Sequence, residues 1–150
     1  GGALAADLFT HFERKTSMND QNLKAAAQSI HDVHVLIQTI FTQEGEAAQA
    51  ALKALMLVFA ENFSMVTTGG QIVTRAQVQQ MFEGSAGARP GLQIAVVALK
   101  TVWHAGPHVA MRYRETHSLA GVVTARYSTA IVEVTASGVL WHALHETAIA

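Results

Sequence analysis

Apolar positions recur at helical spacing in the first half of the chain and at strand spacing in the second. Leu4, Leu8, Phe9 and Phe12 predict a short amphipathic lead-in helix. From Leu23 to Phe41, the positions Ala26, Ile30, Val33, Ile37 and Ile40 or Phe41 fall on one helical stripe. A second helix, roughly Glu46 to Ala60, brings Leu52, Leu55, Met56 and Phe59 to one face. Gly45 separates the two, so they pack as neighbours across a short loop.

Phe63, Met65 and Thr67 then alternate with smaller residues, and Gly69-Gly70 marks a tight turn before Ile72-Val73, the pattern of a short β-hairpin. Thr74 with Gln77 forms a capping box that opens a third helix, Arg75 to Glu83, with Val78, Met81 and Phe82 inward. Gly84 stands where a left-handed helix end favours glycine, and a loop runs to Gly91. The rest reads as four strands, Leu92 to His104, Val109 to Thr116, Thr124 to Thr135 and Val139 to Ile149. Gly106-Pro107, Ala120-Gly121 and Ser137-Gly138 punctuate them. Helices first and a meander of long strands afterwards predict an α+β domain, a curved antiparallel sheet wrapped on a helical layer.

Register decides which residues share a face. A two-residue turn at Ala120-Gly121 sets Glu115 opposite Arg126, Tyr113 opposite Ser128, Met111 opposite Ala130 and Val109 opposite Val132. A two-residue turn at Ser137-Gly138 sets Val134 opposite Trp141, Ala130 opposite His145 and Ser128 opposite Thr147. One face then grades from apolar (Met111, Val132, Trp141) to polar (Tyr113, Glu115, Arg126, Ser128, His145, Thr147), and we read it as concave. Gly106-Pro107 leaves open whether Trp103 or His104 points inward. The convex face carries Ala110, Ile131 and Leu144 amid polar groups, a mixture that predicts a dimer interface.

Composition narrows the partners. The 150 residues are 50% hydrophobic and only 14% charged, with a formal net charge of -1. The mean hydropathy is +0.23. That argues for one folded domain and for apolar surface hidden in a cavity or against a second subunit. A near-neutral chain lacks the basic footprint of nucleic-acid binding. Cysteine is absent, which removes a disulfide frame, a thiolate nucleophile and Cys-ligated zinc. No apolar run reaches the length of a membrane helix, and the start lacks the basic and apolar stretches of a signal peptide. A cytoplasmic location is the expectation. His31 and His34 are one helical turn apart and could share a metal, but no third ligand is identifiable, so no metal or cofactor is expected.

The segments Phe59-Ala60-Glu61-Asn62-Phe63-Ser64-Met65-Val66-Thr67, Gly70 and Thr74-Arg75, followed by Met111-Arg112-Tyr113, Ala125-Arg126-Tyr127-Ser128-Thr129 and Trp141-His142-Ala143-Leu144-His145-Glu146-Thr147, occur in an order and spacing that resembles the nuclear transport factor 2-like superfamily, in its uncharacterised SnoaL-like branch. The resemblance covers roughly residues 23–149 and divides the chain into an extension or lead-in helix, 1–22, and a SnoaL-like domain, 23–150. It implies a cone-shaped cystatin-like fold, a homodimer through the sheet, and a pocket between sheet and helices. Relatives include ketosteroid isomerases, polyketide cyclases, dehydratases and non-catalytic binding domains.

The expected pocket is lined by Met111, Tyr113, Glu115, Arg126, Ser128, Trp141, His145 and Thr147. Arg126 could hold a ligand carboxylate or enolate through its two-pronged guanidinium, His145 could exchange a proton near neutral pH, and Glu115 could orient Arg126 or act as base. Met111 and Trp141 would form an apolar wall. Three functions follow: a homodimeric domain binding a small, mostly apolar ligand with an acidic or carbonyl end; a cofactor-independent isomerase, dehydratase or cyclase on the same pocket, with His145 and Glu115 the catalytic candidates; or a dimerisation module with a filled cone.

Overall fold

The first helical stripe extends further toward the N-terminus than the separate lead-in helix expected there: α1 runs unbroken over Gly2–Thr42. The computed structural model describes the backbone of residues 2–150 and the side chains of residues 17–150, so the stripe of Leu4, Leu8, Phe9 and Phe12 lies outside the described side chains. Ala26, Ile30, Val33 and Ile40 are fully buried along the predicted face. Helix α2, Gly45–Val58, follows after two residues and ends two positions before the pattern suggested, because Phe59 is already extended (φ -81, ψ 127). Its free C-terminal carbonyls are taken up by Arg75, which donates from Nη2 to the Met56 carbonyl (2.6 Å) and from Nε to that of Phe59 (3.3 Å).

Strands β1 (Phe59–Val66) and β2 (Ile72–Thr74) form the predicted antiparallel hairpin. Thr74 and Gln77 close both halves of the capping box at the start of α3, Arg75–Ser85. Gly84 stays within that helix, contrary to its expected left-handed role, which passes to Gly87 (φ 69). A Cβ at Gly87 would collide with the Glu44 side chain, so both backbone conformation and space demand glycine there. The Gly87 amide donates to the Ile40 carbonyl and the Arg89 amide to that of Phe41, both at 2.9 Å, which pins this loop to the end of α1.

The four long strands are β3 (Gln93–Ala105), β4 (His108–Leu119), β5 (Val122–Thr135) and β6 (Gly138–Ile149). The six strands lie in the order β2-β1-β6-β5-β4-β3. The sheet is curved, open and mixed, because β1 pairs parallel with β6, where a wholly antiparallel sheet was expected. That pair is possible because α3 and four strands supply the long connection a parallel neighbour requires. The result is α+β, with the helices covering the concave face over a core of Ile30, Leu55, Phe63, Val78, Val132 and Trp141.

The β4–β5 register is the predicted one throughout, including Tyr113 with Ser128 and Glu115 with Arg126. Both turn residues, Ala120 (φ 52) and Gly121 (φ 81), adopt the left-handed conformation of a two-residue hairpin. The β5–β6 register differs. Thr135 pairs with Gly138, so the turn residues are Ala136 and Ser137, and Val132 pairs with Trp141. Ile131 then pairs with Ala143, leaving His142 as the extra residue of a β-bulge. One inserted residue reverses the alternation beyond it. Leu144 and Glu146 therefore turn to the concave side, while His145 and Thr147 turn to the convex side and are exposed. The β1–β6 register breaks at the same level, between Phe59 and Ser64. The question left open at Gly106-Pro107 resolves with Trp103 paired to Ala110 on the convex face and 58% exposed.

Candidate functional site

A cavity of about 250 Å³ lies between the concave sheet face, α1 and α3. It is larger than the roughly 150 Å³ void that holds benzene in an engineered protein core. A ligand of one or two fused rings matches it in size. Its floor is Trp141, fully buried and held in orientation by Nε1–H donating to Ser29 Oγ at 2.9 Å. Phe59, stacked on Phe63 with centroids 4.2 Å apart, and Ile37, Phe41, Val78 and Phe82 supply most of the remaining apolar wall.

One side of the cavity is polar and carries charge. His34 projects from α1, Glu115 and His117 from β4, Arg126 from β5, Glu146 from β6 and Arg89 from the loop before β3. Glu115 is the hub: Oε1 meets His34 Nε2 at 2.9 Å, and Oε2 is in a short hydrogen bond with His117 Nε2. His117 Nδ1 faces Arg89 Nη1 at 3.4 Å. Since the guanidinium can only donate, that nitrogen accepts, and the His117 proton sits on Nε2, pointing at Glu115. His34 Nδ1 lies 2.6 Å from the Ile30 carbonyl, which can only accept. Both His34 nitrogens therefore face oxygen atoms, the Ile30 carbonyl on one side and the Glu115 carboxylate on the other.

The two carboxyls of the cavity are pushed apart in acidity. Burial raises the Glu115 carboxyl, but the N–H groups of His117 and His34 outweigh it and hold it well below the usual carboxylate range. Glu146 accepts from Arg126 Nη1 at 2.7 Å, yet burial dominates and leaves it raised, with the Glu115 charge adding to the effect. Burial likewise lifts Tyr113 well above its ordinary value, with Glu115 and Glu146 adding to the rise. Opposite displacement of neighbouring carboxyls is how one site holds a fixed anion beside a group able to exchange a proton. Among the described residues no three His, Asp or Glu side chains are arranged to hold a metal ion; His34 and His117 each address a separate oxygen of Glu115.

Of the eight residues expected in the pocket, Glu115, Arg126 and Trp141 line the cavity. Met111, Tyr113 and Ser128 are on the same face but fully buried beneath it. The Tyr113 and Ser128 hydroxyls, opposite each other on β4 and β5, have no hydrogen-bond partner among the described residues. His145 and Thr147 are on the far face because of the bulge, and His145 is thereby removed from the site for which it was the catalytic candidate. Arg126 pairs with Glu146 rather than with Glu115. Sequence reasoning missed four participants. His34 lies on the helical stripe between Ile30 and Ile37, and His117 has the same alternation as Tyr113 and Glu115 on a strand longer than expected, so both were within reach. Glu146 was hidden by the bulge and Arg89 by its position in a loop. His31, one turn before His34 on α1, is exposed while His34 is buried.

No protein-family model matches the chain, and no curated protein matches it. Solved structures do. An NTF2-like protein of unknown function from Pseudomonas aeruginosa is 32% identical, with a TM-score of 0.78 over 84% of this chain and 99% of that one. A protein from Novosphingobium aromaticivorans provisionally assigned as a scytalone dehydratase is 12% identical, with a TM-score of 0.69 over 90% of this chain and 89% of that one. A provisionally assigned dehydratase of the NTF2-like family from Streptomyces avermitilis is 14% identical, with a TM-score of 0.59 over 82% of this chain and 97% of that one. At these lower identities the likeness is one of fold alone.

Proposed function

The chain belongs to the nuclear transport factor 2-like superfamily, and from that premise we propose that it is a SnoaL-like domain binding a compact, mostly apolar ligand with a carbonyl or acidic end. The observation that carries this reading is the cavity itself: apolar on the side of Trp141 and the phenylalanines, charged on the side of Glu115, Arg126 and Glu146. Small-molecule sites have that character, with a few polar groups orienting a largely apolar body. The test is calorimetric titration with 2-tetralone, a compact bicyclic ketone. Binding is expected in the parent chain and should vanish in Leu144→Trp, which fills the cavity, with the circular dichroism spectrum unchanged. Absence of binding, or binding indifferent to Leu144→Trp, would defeat the reading.

A second reading, proton transfer on the bound ligand without a cofactor, is favoured by the raised Glu146 carboxyl beside the firmly ionised Glu115. Glu146 would then be the exchanging group, in place of the expected His145. Exchange of α-deuterium from labelled 2-tetralone into water, followed by proton NMR, should be accelerated by the parent chain. It should slow by about 10²- to 10⁴-fold in Glu146→Gln, the usual contribution of a general acid or base. Equal rates with and without protein would leave a binding domain.

We also propose pairing of two copies through the convex face. Trp103, Ala110, Ile131 and Ala143 form a row of apolar side chains across four adjacent strands. Trp103, Ile131 and the nearby Tyr127 are 58%, 44% and 51% exposed. Leu144, expected in this patch, faces the cavity instead. Sedimentation should find a dimer that the double variant Trp103→Glu, Ile131→Glu converts to monomer; a monomeric parent would remove the proposal.

A further inference from the structure

We infer that the cavity selects a ligand carrying a carboxylate, and that Arg89 at its mouth is the residue that selects it. This rests on the reading that the cavity takes a small ligand. Two carboxylates, Glu115 and Glu146, line it with two guanidiniums, Arg89 and Arg126. The internal pairings leave one guanidinium over: Glu146 engages Arg126, Glu115 is shared by His34 and His117, and Arg89 has no carboxylate in ion-pair contact among the described residues.

Arg89 is half-buried, and among the described residues its side chain meets the rings of His117 and Phe41. Nη1 makes a long contact of 3.4 Å to His117 Nδ1, and the guanidinium lies 5.9 Å from the centre of the Phe41 ring. A guanidinium has five N–H donors, so most of this one's capacity is uncommitted. The position is also prepared in advance. The Arg89 amide is bonded to the Phe41 carbonyl and the Gly87 amide to that of Ile40, so the loop carrying the cation is tied to the end of α1. A partly desolvated cation without a counter-ion is unfavourable, and a planar carboxylate meeting the fork in two parallel hydrogen bonds relieves it. Arg126, the anion holder expected from sequence, is less available because Glu146 already occupies Nη1. The two cavity carboxylates are already engaged within the chain, Glu115 with His34 and His117 and Glu146 with Arg126, which weakens their repulsion of such a ligand.

The experiment compares 2-naphthoate with 2-naphthamide, the same ring system with and without the charge, by calorimetry on the full chain. In the parent chain the carboxylate should bind about tenfold or more tightly than the amide, the usual worth of a charge-assisted hydrogen bond. Arg89→Gln should erase that preference by weakening the carboxylate far more than the amide, and Arg89→Lys should restore part of it. Equal affinity for the two probes, or a preference that survives Arg89→Gln or disappears only in Arg126→Gln, would overturn the assignment. If the amide and 2-tetralone still bind in those cases, the cavity reading stands and only the anion selection fails; if no probe binds, both fall together.

Discussion

Glu115→Gln is expected to destabilise the fold by about 3–5 kcal/mol, the usual consequence of removing one partner from a buried ion pair. The residue is 5% exposed, and each oxygen serves a different histidine on a different element, His34 on α1 and His117 on β4. A carboxamide keeps one acceptor and turns its NH₂ toward the other donor. The two buried histidine contacts then lose the carboxylate charge that both of them face. Urea unfolding at fixed protein concentration measures the loss, and a change below about 1 kcal/mol, the scale of an ordinary hydrogen bond, would show that the Glu115 charge contributes little to the fold. The pH dependence has a definite sign. Glu115 has a lower pKa folded than unfolded, so its stabilisation is present above about pH 4.3, the unfolded value, and is lost as the pH falls toward the folded one. The gap between parent and variant should therefore narrow in acid. Glu146 works in the opposite direction: its raised folded pKa favours the fold below about pH 4.3 and loses that contribution as the pH rises through the folded value.

Trp141→Ala should cost a similar amount, about 3–5 kcal/mol, as for other large-to-small changes of buried aromatics. Trp141 is fully buried, closes the cavity floor, and packs edge-on to Phe59 with centroids 6.2 Å apart. Its removal also leaves Ser29 Oγ without its donor. Trp141→Phe retains most of the packing and should lose only about 1–2 kcal/mol, chiefly the hydrogen bond. The same pair of variants reads out on ligand size, because only the alanine deepens the cavity. Thermal unfolding alongside titration with probes of increasing ring number tests both effects; unchanged stability in Trp141→Ala would mean the floor collapses to refill the space.

Much of this arrangement is local and was visible in the residue pattern. The stripe Ala26, Ile30, Val33 faces the sheet because helical periodicity depends only on nearest neighbours along the chain. The β4–β5 register follows from a two-residue turn at Ala120-Gly121, which sets every later pair by counting, Glu115 opposite Arg126 included. The same counting failed one hairpin later. The turn shifted by one residue and His142 bulged, so Leu144 took the concave position assigned to His145 and Glu146 the one assigned to Thr147. A bulge forms where neighbouring strands bend together, here where β1 also breaks step with β6, and that strain is a property of the assembled sheet rather than of the β6 sequence.

What the sequence by itself determined was therefore the elements, their order and one strand register, all encoded in short-range periodicity and turn chemistry. Tertiary structure alone decided the chemistry of the site. His34 and Glu115 are 81 positions apart, and Arg89 and His117 are 28 apart, and no local rule connects them. They meet because α1 lies across the concave face and the loop before β3 is tied to its end. Only there do burial and pairing determine which charge is answered within the chain and which is left for a ligand.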